Sequence, residues 1–239
     1  MVIFTLVRIY QVMLLDTENF EKTFWNYYLE LEQNFLEIDK LIPFDKVNYL
    51  TFSYKYVDLL SAICSEIDVL FKKYIKIKNY TPDLDEHGKP MYNINQYLKF
   101  VESKVPNFKD QEIDCYNPRF YNKKVYPFSS WSNKPPKWWT VNNKIKHNKE
   151  INLYGKKAYK NANQICVLNA LSALFQLNLY VYKELKKDDE DELKVPLYES
   201  QLFRLENWGD YYKYIVNGRN VAIIADDLLD LILRSLNND

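Results

Sequence analysis

Apolar residues in the first third of the chain recur at intervals of three and four, the period of a helix with one buried face. Phe20, Phe24, Tyr28, Leu31, Phe35 and Ile38 form one stripe, which predicts a helix from about Thr17 to Lys40 with Asp16 as its N-cap. Ile42-Pro43-Phe44-Asp45 breaks that pattern, and Asp45 can cap a second helix running to about Lys76. The second stripe is Val57, Leu60, Cys64, Ile67, Phe71 and Tyr74. Asn79 to Asn93 holds Pro82, Gly88 and Pro90 and reads as a loop. A shorter helix follows, about Ile94 to Lys104. Pro106 to Lys137 carries four further prolines and no clear period, so it reads as a long irregular stretch, a kind often tied to function. A fourth helix starts at Trp138-Trp139 and ends near His147–Glu150. The fifth, about Ala158 to Lys186, is the longest and most apolar. Beyond the charge run Lys187–Glu192, the segments Tyr212–Val216 and Arg219–Ile224 flank Asn217-Gly218. That is the pattern of a β-hairpin, because Asn-Gly accepts the positive φ angles of a two-residue turn. A last helix is expected over Asp226–Leu236.

These elements describe a mainly α protein. A helical bundle spans residues 1–186, with its core in 44–186. A small α+β appendage spans 187–239, made of an acidic linker, the hairpin and a helix. Composition points the same way: 47% hydrophobic residues supply a core, and only 4 Gly argue against an all-β sandwich or barrel. Tyrosine is unusually common at 21 residues, so many rings must sit at the edge of the core with the hydroxyl turned to water or a partner.

Two segments resemble membrane or targeting sequences. Met1–Leu15 is apolar but carries Arg8 and stops at Asp16, which suits a packed terminal segment better than a signal peptide or a span. Ile165–Tyr182 is interrupted by Asn169, Ser172, Gln176 and Asn178 and reads as a core helix. The three cysteines, Cys64, Cys115 and Cys166, have neither disulfide-framework nor metal-ligand spacing. A soluble cytoplasmic protein without a membrane partner is expected.

The formal net charge of zero conceals an uneven distribution. From Arg119 to Lys160 eleven basic residues face one acid, Glu150, a local charge of about +10. From Asp188 to Asp239 twelve acids face five basic residues. Such a basic stretch favours polyanions, and its interleaved Trp and Tyr residues suit single-stranded nucleic acid, where phosphates pair and bases stack. Lys134, Lys137, Lys149, Lys156 and Lys157, with Trp138 and Trp139, are the expected contacts. A solvated surface partly neutralised by the acidic tail is the alternative of equal weight. The acidic C-terminal region is also a candidate surface for a partner protein.

One constellation could do chemistry. If residues 138–148 are helical, Asn143, Lys144 and His147 share a face, with Lys146 about 100° round the helix. A histidine beside ammonium groups resists protonation and can serve as a base near neutral pH, while the lysines stabilise a phosphorane-like anion. These are the parts needed for metal-independent RNA cleavage. The alternative is a structural histidine near a helix C-terminus. Glu66 lies among Ala62, Ile63, Val69 and Leu70 and is expected to be partly buried. A buried acid requires a donor, and Lys144, Lys146 or His147 could supply it, or Glu66 could serve helix packing alone. P-loop, dinucleotide-binding, H-E-x-x-H and G-x-S-x-G patterns are absent from the sequence, so no cofactor or metal is expected.

The helix Tyr49–Tyr74 with Ser65-Glu66-x-Asp68, the segment Trp138-Trp139-x-x-Asn142-Asn143-Lys144-Ile145-Lys146-His147-Asn148, and Asn163-x-x-x-Val167-Leu168-Asn169-Ala170-Leu171 together resemble the HEPN superfamily of helical bundles. The resemblance covers roughly Phe44 to Tyr182. It implies a HEPN-like bundle that dimerises through the motif helix. It also implies a ribonuclease of the kind found in toxin–antitoxin, abortive-infection and other antiphage systems. The family motif is Arg-x(4–6)-His. Here the arginine would fall at Thr140, Val141 or Asn142, and none of these is Arg. Lys144 or Lys146 would have to supply the cation, as a point charge in place of a bidentate fork. Non-catalytic members act as binding or assembly modules, which is the other function the resemblance implies.

Overall fold

Side-chain caps and apolar stripes set the ends of the helices. The computed structural model describes residues 17–117, 120, 123–132, 134–187, 196, 199–205, 211–216 and 219–224. The expected cap Asp16, the segment Met1–Leu15, the acidic run after Lys187, the Asn217-Gly218 turn and the helix Asp226–Leu236 lie outside these residues.

A helical stretch from Thr17 passes through a π-helical turn, Glu21–Trp25, into α1, Asn26–Asp39. The wide turn inserts a residue into the repeat. Trp25 therefore takes a buried position, while Phe24, expected on the stripe, is only partly buried. Helix α2, Tyr54–Ile77, begins later than the sequence suggested. Its N-cap is Ser53, whose hydroxyl accepts from the Lys55 N–H at 3.2 Å. Asp45 instead closes a local turn, accepting from the Val47 N–H at 2.9 Å. Helix α3, Ile94–Lys104, is capped by Asn93. Helix α4 spans Lys137–Asn148. Helix α5, Gln164–Leu185, starts after a 3-10 turn, Ala158–Asn161, because Asn163 caps it through the Cys166 N–H at 3.1 Å.

The stretch 106–137, expected to be irregular, contributes to the core through its described residues. It contains β1, Ile113–Cys115, and β2, Lys123–Val125, and it buries Phe108, Phe120, Phe128 and Trp131. Three-residue strands are too short to show a period of two, so the pattern gave no signal. Chain then returns from the C-terminal side: β5, Phe203–Arg204, completes an antiparallel sheet in the order β2-β1-β5. Between α4 and α5 lies a small hairpin, β3, Asn152–Leu153, and β4, Lys156–Lys157. The last described strands, β6, Tyr211–Val216, and β7, Arg219–Ile224, pair antiparallel from Tyr211↔Ile224 to Val216↔Arg219, the register a two-residue connection imposes.

Helices α2 and α5 form the central pair and run in the same direction. Phe52 bridges Asn163 at one end, and Lys78 Nζ meets Glu184 at 2.9 Å at the other. Helix α1 runs the opposite way: the Gln164 amide donates to the Ile42 carbonyl near its C-terminal end, and the Tyr182 hydroxyl donates to Glu21 near its beginning. Phe71 of α2 gathers the rings of Tyr97, Phe108, Phe128 and Trp131 around it. Gln176 of α5 donates to the Phe108 carbonyl at 2.6 Å, a buried tie between helix and sheet region. Helix α5 is long and apolar enough to cross a membrane, and here that apolar surface is buried inside the protein.

Segment 199–205 is held on α1 by a buried acid. Glu32 is almost wholly buried and accepts from the Tyr28 hydroxyl at 2.6 Å, the Gln201 N–H at 2.7 Å, the Leu202 N–H at 3.3 Å and the Ser200 hydroxyl. Burial still pushes its carboxyl above the usual range, against the pull of these donors.

Candidate nucleic-acid interface

Helix α4 has two unlike faces. Trp138 and Val141 are buried, with Trp139 and Ile145 packed against them at helical spacing. These apolar residues lock α4 against α2 and α5. The opposite face carries Asn143, Lys144, Lys146 and His147, all exposed. Among the described residues these four make no hydrogen bond or ion pair, so all four side chains are available to a ligand. The helix therefore brings together Asn143, Lys144 and His147 as their spacing predicts.

Glu66 does not join them. It is half-buried on α2, and its carboxyl is raised by burial alone. Among the described residues no donor or cation reaches it, so the expected link to Lys144, Lys146 or His147 is absent from the geometry. Its neighbour Asp68 is the partnered acid: it accepts from Lys72 Nζ and from the Tyr97 hydroxyl, each at 2.6 Å.

The expected nucleic-acid contacts divide. Lys134, Lys137 and Lys149 are exposed and Lys156 is half-buried, with no ion pair among the described residues. Lys157 is exposed but pairs with Glu150, so part of its charge is already answered. Trp138 is a core residue. Its Nε1–H donates to the Pro127 carbonyl at 3.0 Å and its ring meets the edge of Phe128, so it offers no face to a base. Trp139 is half-buried, with its ring edge-on to Trp138. As a stacking platform Trp138 is corrected by its packing: it anchors α4, while Trp139 is only partly covered.

Exposed rings that sequence reasoning missed stand beside the same helix. The β3–β4 hairpin folds back along α4, and Tyr154 at its tip is 56% exposed. Lys137 Nζ, in the first turn of α4, sits 4.9 Å from the centre of that ring. At the other end the Tyr159 N–H donates to the Lys149 carbonyl at 3.4 Å. Tyr159 lies parallel to Tyr54, at 6.1 Å and 7°, and both meet the edge of Phe52. Tyr54 is 69% exposed. The sequence held one usable signal, the Tyr154-Gly155 pair, but it lay between strands of two residues.

Among the described residues no group of three His, Cys, Asp or Glu is placed to hold a metal ion. All three cysteines are buried, and burial raises the Cys115 and Cys166 thiols to about 12, which leaves them without nucleophilic character near neutral pH. Compared with known proteins, the chain matches no family model, no curated protein and no solved structure.

Proposed function

We propose that this protein acts on RNA through the outer face of α4, as a HEPN-like, metal-independent ribonuclease of antiphage defence. The observation that carries the proposal is the set Asn143, Lys144, Lys146 and His147, exposed together and without partners among the described residues. A free imidazole can take a proton from a ribose 2′-hydroxyl, and adjacent ammonium groups can hold the phosphate as charge develops. His147 would be the base, Lys144 and Lys146 the cations, and Asn143 the orienting group. Lys134, Lys137, Lys149 and Lys156 would extend the anionic track along the strand. A two-fold dimer across α4 would bring two copies of His147 to one strand.

A second reading is binding without cleavage. It is favoured by a specific feature of α4: no arginine faces the strand, and Lys cannot supply a bidentate grip on the phosphate. One experiment separates the two. A mixed RNA pool is incubated in EDTA with wild type and with His147→Ala at matched folded concentration. Cleavage by wild type alone supports the ribonuclease. Salt-sensitive RNA binding by both without cleavage moves the function to the binding module. No binding and no cleavage by either overturns both readings.

A further inference from the structure

Tyr154 breaks a local rule. It occupies the first central position of a two-residue hairpin turn, with φ +52°, followed by Gly155 at +79°. Both positions of such a turn require positive φ, which suits Asn, Asp or Gly, and a tyrosine there is strained. The ring gains little burial in return, since the residue is more than half exposed. What it does gain is position: the turn holds it at the first turn of α4, beside the Lys137 ammonium. Tyr54 is displayed in the same manner at the other end. It opens α2 as the first helical residue, and its back is supported by Phe52 and Tyr159, while its outer surface faces solvent. Between the two rings run the twelve residues of α4, with Lys144, Lys146, His147 and Lys149 exposed.

We infer that Tyr154 and Tyr54 are base-stacking platforms at the two ends of the α4 face, and that they restrict its ligand to single-stranded nucleic acid. The inference rests on the RNA-directed function proposed above and adds the residues that would select a single strand over a duplex. A helix of twelve residues is about 18 Å long, the span of roughly five nucleotides at the 3.4 Å rise of a stacked strand. Phosphates of such a strand follow the lysines, and an unpaired base at either end meets a tyrosine face. A duplex satisfies the lysines equally well but keeps its base faces stacked internally, so the tyrosines add nothing to its affinity.

The test uses the full chain and a labelled 2′-O-methyl RNA of mixed sequence, which cannot be cleaved through its 2′-oxygen. Affinity is measured by fluorescence anisotropy for the single strand and for the same strand in a duplex. The proteins are wild type, Tyr54→Ala, Tyr154→Asn, the double variant and Lys144→Ala/Lys146→Ala. Asn is chosen at position 154 because it accepts positive φ and keeps the turn. Each tyrosine variant is expected to lose about tenfold for the single strand, with duplex affinity unchanged. Lysine removal weakens both ligands. If the lysine variant weakens binding while the tyrosine variants bind both ligands as wild type does, the stacking inference falls and the RNA-directed function stands. A loss shared equally between strand and duplex also overturns the inference. If wild type binds neither ligand, the inference and the function beneath it fail together.

Discussion

If the α4 face binds RNA as proposed, its affinity depends on salt with a slope set by the number of phosphates its lysines neutralise. The six lysines assigned above to the RNA strand make no ion pair among the described residues: Lys134, Lys137, Lys144, Lys146, Lys149 and Lys156. For a single strand, log affinity falls against log salt with a slope of about −0.7 for each phosphate neutralised, so full use of all six gives about −4. Raising salt from about 50 to about 200 mM should then cost about 300-fold. Lys144→Ala/Lys146→Ala removes two of the six, bringing the slope to about −3 and the loss to about 50-fold. Lys157 behaves differently, because it already pairs with Glu150. Lys157→Ala should change the slope much less, and Glu150→Gln, which frees that ammonium, should steepen it by up to about 0.7. Anisotropy titrations at four or five salt concentrations give every slope directly. The reasoning is refuted if the double lysine variant keeps the wild-type slope, or if Lys157→Ala flattens it as much as that pair does.

Three further outcomes test the structural assignments. Trp138→Ala should destabilise the protein by about 3–5 kcal/mol, measured by urea unfolding, because it empties a core position and orphans the Pro127 carbonyl. A change under about 1 kcal/mol would return Trp138 to the surface. Tyr154→Asn should leave stability unchanged or raise it by about 1 kcal/mol as the strain at positive φ is relieved. A loss of stability would mean the ring holds the fold. Glu32→Gln tests the buried acid by its pH dependence. Burial raises the Glu32 carboxyl in the folded state, so its protonation favours folding: that contribution is full below the unfolded value near 4.3 and is lost as pH rises through the folded value. Glutamine carries no such loss, so urea midpoints should move in favour of Glu32→Gln from about pH 4 to about pH 8, and a pH-independent difference would contradict the assignment.

The sequence made the long helices legible because a period near 3.6 sustained over several turns leaves a clear stripe. Leu60, Cys64, Ile67, Phe71 and Tyr74 are buried on α2 as their spacing requires. Helix starts were less legible: Asp45 was the expected cap where Ser53 serves, and α5 starts at Gln164 behind the Asn163 cap instead of near Ala158. The π turn at Glu21–Trp25 exchanged Phe24 for Trp25, a shift no fixed period anticipates. In the candidate site, the common face of Asn143, Lys144 and His147 was legible from their spacing. The basic–aromatic interleaving misjudged Trp138, because aromatic residues near lysines are as compatible with an anchor as with a platform. Tyr54 and Tyr154 escaped notice because turn geometry and exposure, not spacing, distinguish them.

Three residues depart from local expectation, and how each departure is resolved separates scaffold from site. Glu32 is a buried acid without a cation, but four donors from Tyr28 and the 200–202 segment surround its carboxylate. Its departure is answered inside the protein, and its consequence is structural: the C-terminal segment is fastened to α1. Glu66 is half-buried with no donor among the described residues, and Tyr154 is strained with its ring in solvent. Glu66 has no internal answer among the described residues, and Tyr154 has only the Lys137 ammonium beside its ring. A fold tolerates such residues when something outside the chain completes them, and natural sequences concentrate them at functional sites. For Tyr154 the completing group under the inference above would be a nucleobase, a flat and sequence-tolerant surface. For Glu66 it is a cation or a hydrogen-bond donor. A second copy of α4 could carry that group in Lys144, Lys146 or His147, so a dimer across α4 should lower the Glu66 carboxyl and a monomer should leave it raised. NMR titration of the Glu66 side chain at low and high protein concentration distinguishes these: a concentration-independent value would exclude the partner copy as the source.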